Sequence, residues 1–118
     1  MRPSPWRAPN LFPVTLDPED SKIITLARSA RARNGSAEGA AVRDETGRTY
    51  AATNVALDAL TLSAVQVAVA MAISSGARSL EAVALVSEGA PSPADEAVAA
   101  ELGVKSLLVA GPDGTLRG

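Results

Sequence analysis

The chain has 118 residues, 11 Lys and Arg against 13 Asp and Glu, a formal net charge of −2, and neither Cys nor His. Those two absences exclude disulfides, thiol and imidazole catalysis and the usual zinc sites, which take Cys and His ligands, and the charge balance gives no electrostatic reason to expect nucleic acid. Hydrophobic residues make up 47% but aromatics only 3%, so the core must be thin and aliphatic, which in one small domain favours further burial against a second subunit.

Residues 1–16 read as a Pro-rich arm ahead of one domain, 17–118. Pro3, Pro5, Pro9 and Pro13 forbid a helix and favour extended backbone. The arm carries Trp6 and Phe12, the only Trp and Phe in the chain. Two readings stand: a strap that anchors on a protein partner or neighbouring subunit, or a loosely held leader. Met1 to Asn10 has Arg and Pro where a secretory signal would be apolar. With no Cys, the expected location is the cytoplasm.

Asp17, Pro18 and Asp20 announce a helix start, with Asp20 at the capping-box position. Ile23, Ala27 and Ala30 then recur at helical spacing with Leu26 alongside, and Asn34-Gly35 stops the run. Arg28, Arg31 and Arg33 near its end complement the helix dipole and read as solvated structural residues. A hairpin follows: Gly39 to Arg43, a turn at Asp44 to Gly47, and Arg48 to Thr53, with Gly47 supplying positive φ.

Asn54 to Gly76 is the central stretch. Thr61 to Ser75 reads as a helix apolar on nearly every face. Asp58, Ser63 and Gln66 interrupt the run, and a membrane span needs about 20 apolar residues, so this is a core helix and no membrane is expected. Ala64, Ala68, Ala70 and Ala72 allow close approach to its backbone. Leu80 to Val86 is an apolar strand expected to be buried on both faces. Ser92, Pro93 and Asp95 form a second capping box, opening a helix that runs to about Leu102 and stops at Gly103. Lys105 to Ala110 is a further strand, parallel to the last through a crossover, and Thr115 to Gly118 is a strand stub. The order α-β-β-α-β-α-β predicts a small mixed sheet with helices on its faces.

This order resembles the cytidine deaminase family. The resemblance is carried by Gly39-Ala40-Ala41, Gly47-Arg48 and Tyr50 in the hairpin, Asn54-Val55, the helix ending Ala72-Ile73-Ser74-Ser75-Gly76, the strand Ala82 to Ser87, and Ser92-Pro93 opening a helix. It implies an α/β fold of three layers, α/β/α, with a mixed sheet of four to five strands. It also implies a zinc ion held by the pattern C/H-A-E and a later P-C-x-x-C, with the Glu shuttling protons.

Matched to those patterns, the chain resembles a degenerate member. Ser63-Ala64-Val65 falls on the first motif, with Ser63 at a metal-ligand position and Val65 at that of the proton-shuttling Glu. Pro93 to Ala97 falls on the second, which leaves Ala94 and Ala97 where thiolates would stand. Neither alanine can bind a metal, and a valine cannot move a proton, so no cofactor is expected. Asp95 and Glu96 lie near the site, and their charge opposes an anion there; a neutral small molecule against Val65, Ala94 and Ala97 is the remaining ligand reading. The family's ribose-binding N-x-E falls on Asn54-Val55-Ala56, with Asn54 kept and Ala56 replacing the Glu. The expected function is a non-catalytic pseudoenzyme acting through a homodimer, a homotetramer or a protein partner. A nucleoside binder without turnover and a divergent nucleoside deaminase are the alternatives.

Overall fold

A computed structural model describes residues 16–117. The arm with Trp6 and Phe12 lies outside the described residues. The elements are α1 (Pro18–Asn34), β1 (Gly39–Asp44), β2 (Thr49–Thr53), β3 (Val55–Ala56), β4 (Thr61–Leu62), α2 (Ala64–Ser74), β5 (Leu80–Val86), α3 (Pro93–Glu101), β6 (Leu108–Ala110) and β7 (Leu116–Arg117). Five strands form one mixed sheet in the order β2-β1-β5-β6-β7, and β3 pairs with β4 as a separate small hairpin. The expected α/β architecture is present.

Alternation along the strands sends side chains to opposite faces, and each face finds a helix layer. Ala41, Ala82, Ala84, Val86 and Ala110 meet Ile23, Ile24 and Ala27 of α1. Ala40, Val42, Ala52, Val83 and Leu85 meet Ala64, Val65, Ala68, Val69 and Ala72 of α2 and Ala99 of α3. β5 is central and buried except at Glu81, as its unbroken apolar run requires. It pairs antiparallel with β1 and parallel with β6.

Small residues bring the layers close. A Cβ at Gly39 would lie 2.1 Å from the Ala27 carbonyl oxygen and 2.9 Å from Arg31 Cβ, so α1 rests directly on the β1 backbone. The α1 arginines tie down loops: Arg28 Nε donates to Pro112 O and Arg31 Nε to Ala37 O, each at 3.0 Å. Asp17 caps α1 by accepting from Glu19 N at 2.8 Å. Asp20 makes no capping box; its carboxylate instead pairs with Arg43 of β1 at 3.1 Å. Burial works against the Arg43 charge, but hydrogen bonds to Glu81 and Asp20 outweigh it and raise its pKa.

Two element starts differ from expectation by more than one residue. The central helix starts at Ala64, because Thr61 and Leu62 pair with Ala56 and Val55. The fourth large-sheet strand in chain order shortens to Leu108–Ala110. The core helix is also less enclosed than its sequence suggests: Met71 and Ile73 are 40% and 41% exposed.

Candidate functional site

The N-termini of α2 and α3 converge, and side chains from each close the gap. Ser63 is the N-cap of α2: its hydroxyl accepts from Gln66 N at 3.1 Å, and Gln66 Oε1 accepts from Ser63 N at 2.9 Å. Ser92 caps α3 in the same way, accepting from Asp95 N at 3.1 Å. Such reciprocal boxes satisfy helix donors that would otherwise lack partners.

Asp95 joins the two caps. Its side chain is only 1% exposed. Oδ1 accepts a hydrogen bond from the Ser63 hydroxyl, and Oδ2 accepts from Ser92 N at 3.4 Å. A buried carboxylate is costly unless paired or hydrogen-bonded. Here it accepts from both caps and lies in the first turn of α3, where the helix dipole favours negative charge.

A second carboxylate occupies the α2 N-terminus. Glu38 Oε1 accepts from Ala64 N at 3.0 Å, a helix donor otherwise open to an anion. Glu38 N in turn donates to Asn54 Oδ1 at 3.0 Å. The expected sugar-binding Asn54 is therefore engaged with the loop before β1. Ala56, two residues on, is exposed in β3. Val65 is fully buried among Ala64, Ala68 and Val83.

Ala94 and Ala97 do not belong to this convergence. Both are exposed, on the side of α3 away from the core, whereas Asp95 faces Ser63. The spacing of P-C-x-x-C also falls two residues earlier, on Pro91-Ser92-Pro93-Ala94-Asp95, and this register puts its two ligand positions on Ser92 and Asp95, of which Asp95 contacts Ser63 directly and Ser92 contacts Asp95. The physical reason lies in the helix itself. The residue at the N-cap and the one three positions later face the same end, so Ser92 and Asp95 converge where Ala94 and Ala97 cannot. The capping box was readable as a local structure; its identity with the motif was the missed signal. Val65, Ala94 and Ala97 also share no surface that one ligand could touch.

The family model for the cytidine deaminase-like domain matches residues 16–114. The chain belongs to the cytidine deaminase-like family. Among solved structures similar to it is cytidine deaminase from Burkholderia pseudomallei, at 28% identity and a TM-score of 0.69, over 81% of this chain and 87% of that one. Cytidine deaminase from Mycobacterium tuberculosis shares 28% identity at a TM-score of 0.67, over 86% and 90% of the two chains. The enzyme from Mycobacterium leprae, at 22% identity and a TM-score of 0.66, over 86% and 93%, shares the fold. No curated protein matches the chain.

Within this cytidine deaminase-like domain, the residues at the convergence do not fit the family's zinc. The donors brought together are two hydroxyls, Ser63 and Ser92, and one carboxylate, Asp95. Zinc sites take thiolate and imidazole, with carboxylates as minor partners. Among the described residues no group of three His, Cys, Asp or Glu is placed to hold a metal ion. A cleft of about 450 Å³ borders the start of α3 and is lined among others by Glu88, Pro91, Glu96, Leu107 and Arg117; Ser63, Asp95, Val65 and Asn54 do not line it. Among the described residues no helix is long and apolar enough to cross a membrane.

Proposed function

We propose that this chain is a non-catalytic member of the cytidine deaminase-like family, a pseudoenzyme that acts in the cytoplasm through self-assembly or by binding a protein partner. The observation that carries the reading is the Ser63–Asp95 hydrogen bond. It joins the two helix ends at which the family's motifs converge, using groups that hold each other. Val65, buried at the position of the proton-shuttling Glu, offers no proton acceptor. The absence of Cys and His from the whole chain means that no other register supplies the missing ligands. A scaffold kept while its chemistry is dismantled is one retained for its surfaces, and a homodimer or homotetramer is the form this reading favours.

The test is direct. Purified protein incubated with cytidine keeps its absorbance at the cytidine band, with and without added zinc, and elemental analysis finds no stoichiometric zinc. Deamination at an enzyme-like rate overturns the reading. A thermal shift with a nucleoside is the separate outcome that would make the chain a binder, since ligand at 1,000 times its dissociation constant adds about 4 kcal/mol of stability.

A further inference from the structure

Among the described residues the large sheet ends at β2, and no other strand pairs with that edge. Asp44 N donates to Arg48 O at 2.9 Å, and β2 continues against β1 in the register Val42↔Tyr50 and Ala40↔Ala52. The alternation of an antiparallel ladder aims the backbone groups of Tyr50 and Ala52 at β1. Those of Thr49, Ala51 and Thr53 therefore point outward. Among the described residues no hydrogen bond reaches them. Natural edges are usually blunted by Lys, Pro, a bulge or shortness. Thr49-Tyr50-Ala51-Ala52-Thr53 has none of these, whereas the opposite edge, β7, is two residues long.

We propose that β2 pairs antiparallel with β2 of a second copy of this chain, about a two-fold axis at Ala51, to continue the sheet across a dimer. This deepens the proposed function and rests on its assembly reading. The strand is self-complementary in that register. Ala51 meets Ala51, Tyr50 meets Ala52 and Thr49 meets Thr53, while the flanking Arg48 falls opposite Asn54 and not opposite its own copy. A two-fold interface closes on itself and uses up the β2 edge, leaving only the two-residue β7 at each end of the joined sheet.

The layers above and below the strand fit the same geometry. α2 packs over β2 and β1. With strands about 4.8 Å apart, the pairing places the two α2 helices roughly 10 Å apart, a distance at which helices pack. β2 and β5 are parallel, and the crossover through α2 takes the right-handed form. That turns Val67 and Met71, on the flank of the helical wheel away from α3, toward the dyad. Met71 is 40% exposed and would be covered by its mate. On the α1 face, a groove of about 310 Å³ lined by Ala30, Arg33, Asn34, Ala51, Ala52 and Thr53 gives the incoming Thr side chains room.

Sedimentation velocity and residue-resolved amide exchange across a concentration series test this on the full chain. The expected result is a dimer in which the amides of Thr49, Ala51 and Thr53 become protected as concentration rises, while those of Tyr50 and Ala52 are protected throughout. Ala51→Pro removes an outward donor that the chain's own ladder does not use. Met71→Glu places charge at the helix contact. Each raises the dissociation constant at least ~10-fold while circular dichroism stays native, and should Ala51→Pro unfold the chain, Met71→Glu and the exchange pattern decide. An oligomer insensitive to Met71→Glu, with no concentration-dependent protection of Ala51, overturns the edge pairing and leaves assembly by another surface standing. A monomer at every concentration overturns pairing and self-assembly together, and concentration-independent protection of Ala51 shows the edge covered within one chain and also overturns it.

Discussion

Replacing Asp95 by Ala removes the acceptor that joins the two helix ends, and the structure sets the size of the loss. The carboxylate is 1% exposed and accepts from the Ser63 hydroxyl and from Ser92 N. A hydrogen bond to a charged group contributes about 1.5–3 kcal/mol net; Ser63 is half-buried and Ser92 exposed, so water takes over part of what the donors lose. Loss of negative charge at a helix N-terminus adds about 0.3–1 kcal/mol. Against this stands the desolvation cost of the buried carboxylate, which its removal relieves. With two donors and two helix ends facing it, the favourable side wins, and Asp95→Ala is expected to cost about 2–4 kcal/mol. In a domain of roughly 100 residues each kcal/mol moves Tm by about 4–8 °C, so calorimetry or urea unfolding reads the change clearly. Asp95→Asn, which keeps an acceptor but no charge, costs less. Ser63→Ala together with Asp95→Ala completes a double-mutant cycle, with an expected coupling of about 1–2 kcal/mol. Zero coupling, or an Asp95→Ala variant as stable as the parent, would show that the bond does not hold these helices and would refute the reasoning.

Three further predictions concern other parts of the chain. Gly39→Ala drives a Cβ to 2.1 Å from the Ala27 carbonyl oxygen, which only backbone movement can relieve; the loss in urea unfolding should exceed the roughly 1–3 kcal/mol of ordinary overpacking, and a neutral result would mean that α1 does not sit on β1 as described. Asp44 has its pKa held below its ordinary value of 3.8, first by the Thr46 hydroxyl and then by the amides of Thr46 and Arg48 and the Tyr50 hydroxyl, against an opposing effect of burial. A depressed folded pKa stabilises above the unfolded value and is lost as pH falls through the folded one, so Tm should fall more steeply below about pH 3.8 in the parent than in Asp44→Asn, and parallel curves would contradict the network. Ser63→Cys, Ser92→Cys and Asp95→Cys combined should bind zinc, measured as metal per chain, whereas Ser63→Cys with Ala94→Cys and Ala97→Cys should not, because the latter two positions face solvent; zinc in the second variant alone would restore the later register.

Local chemistry was readable along the chain. The caps at Asp17 and Ser92, the turn at Gly47 and the apolar run of β5 each follow from residues a few positions apart. So does the family, because its marks come in order, and the absence of thiols and imidazoles is complete in the sequence itself. What stayed hidden depends on residues far apart. Asp95 looked like a cap alone, and its partner Ser63 lies 32 positions away. Asp20 looked like a capping-box acid but pairs with Arg43 on a strand. Thr61-Leu62 looked helical until Val55-Ala56 offered them a ladder.

The sequence by itself determined which groups are present, and therefore that no thiol or imidazole is among them. Only the tertiary structure decided where those groups meet: which carboxylate faces the helix ends, which alanines face water, and which strand edge has no neighbour among the described residues. The reason is that caps and periodicity are set within a turn or two of backbone. A buried charge, by contrast, takes its partner from whatever the packing of distant elements brings within hydrogen-bond reach.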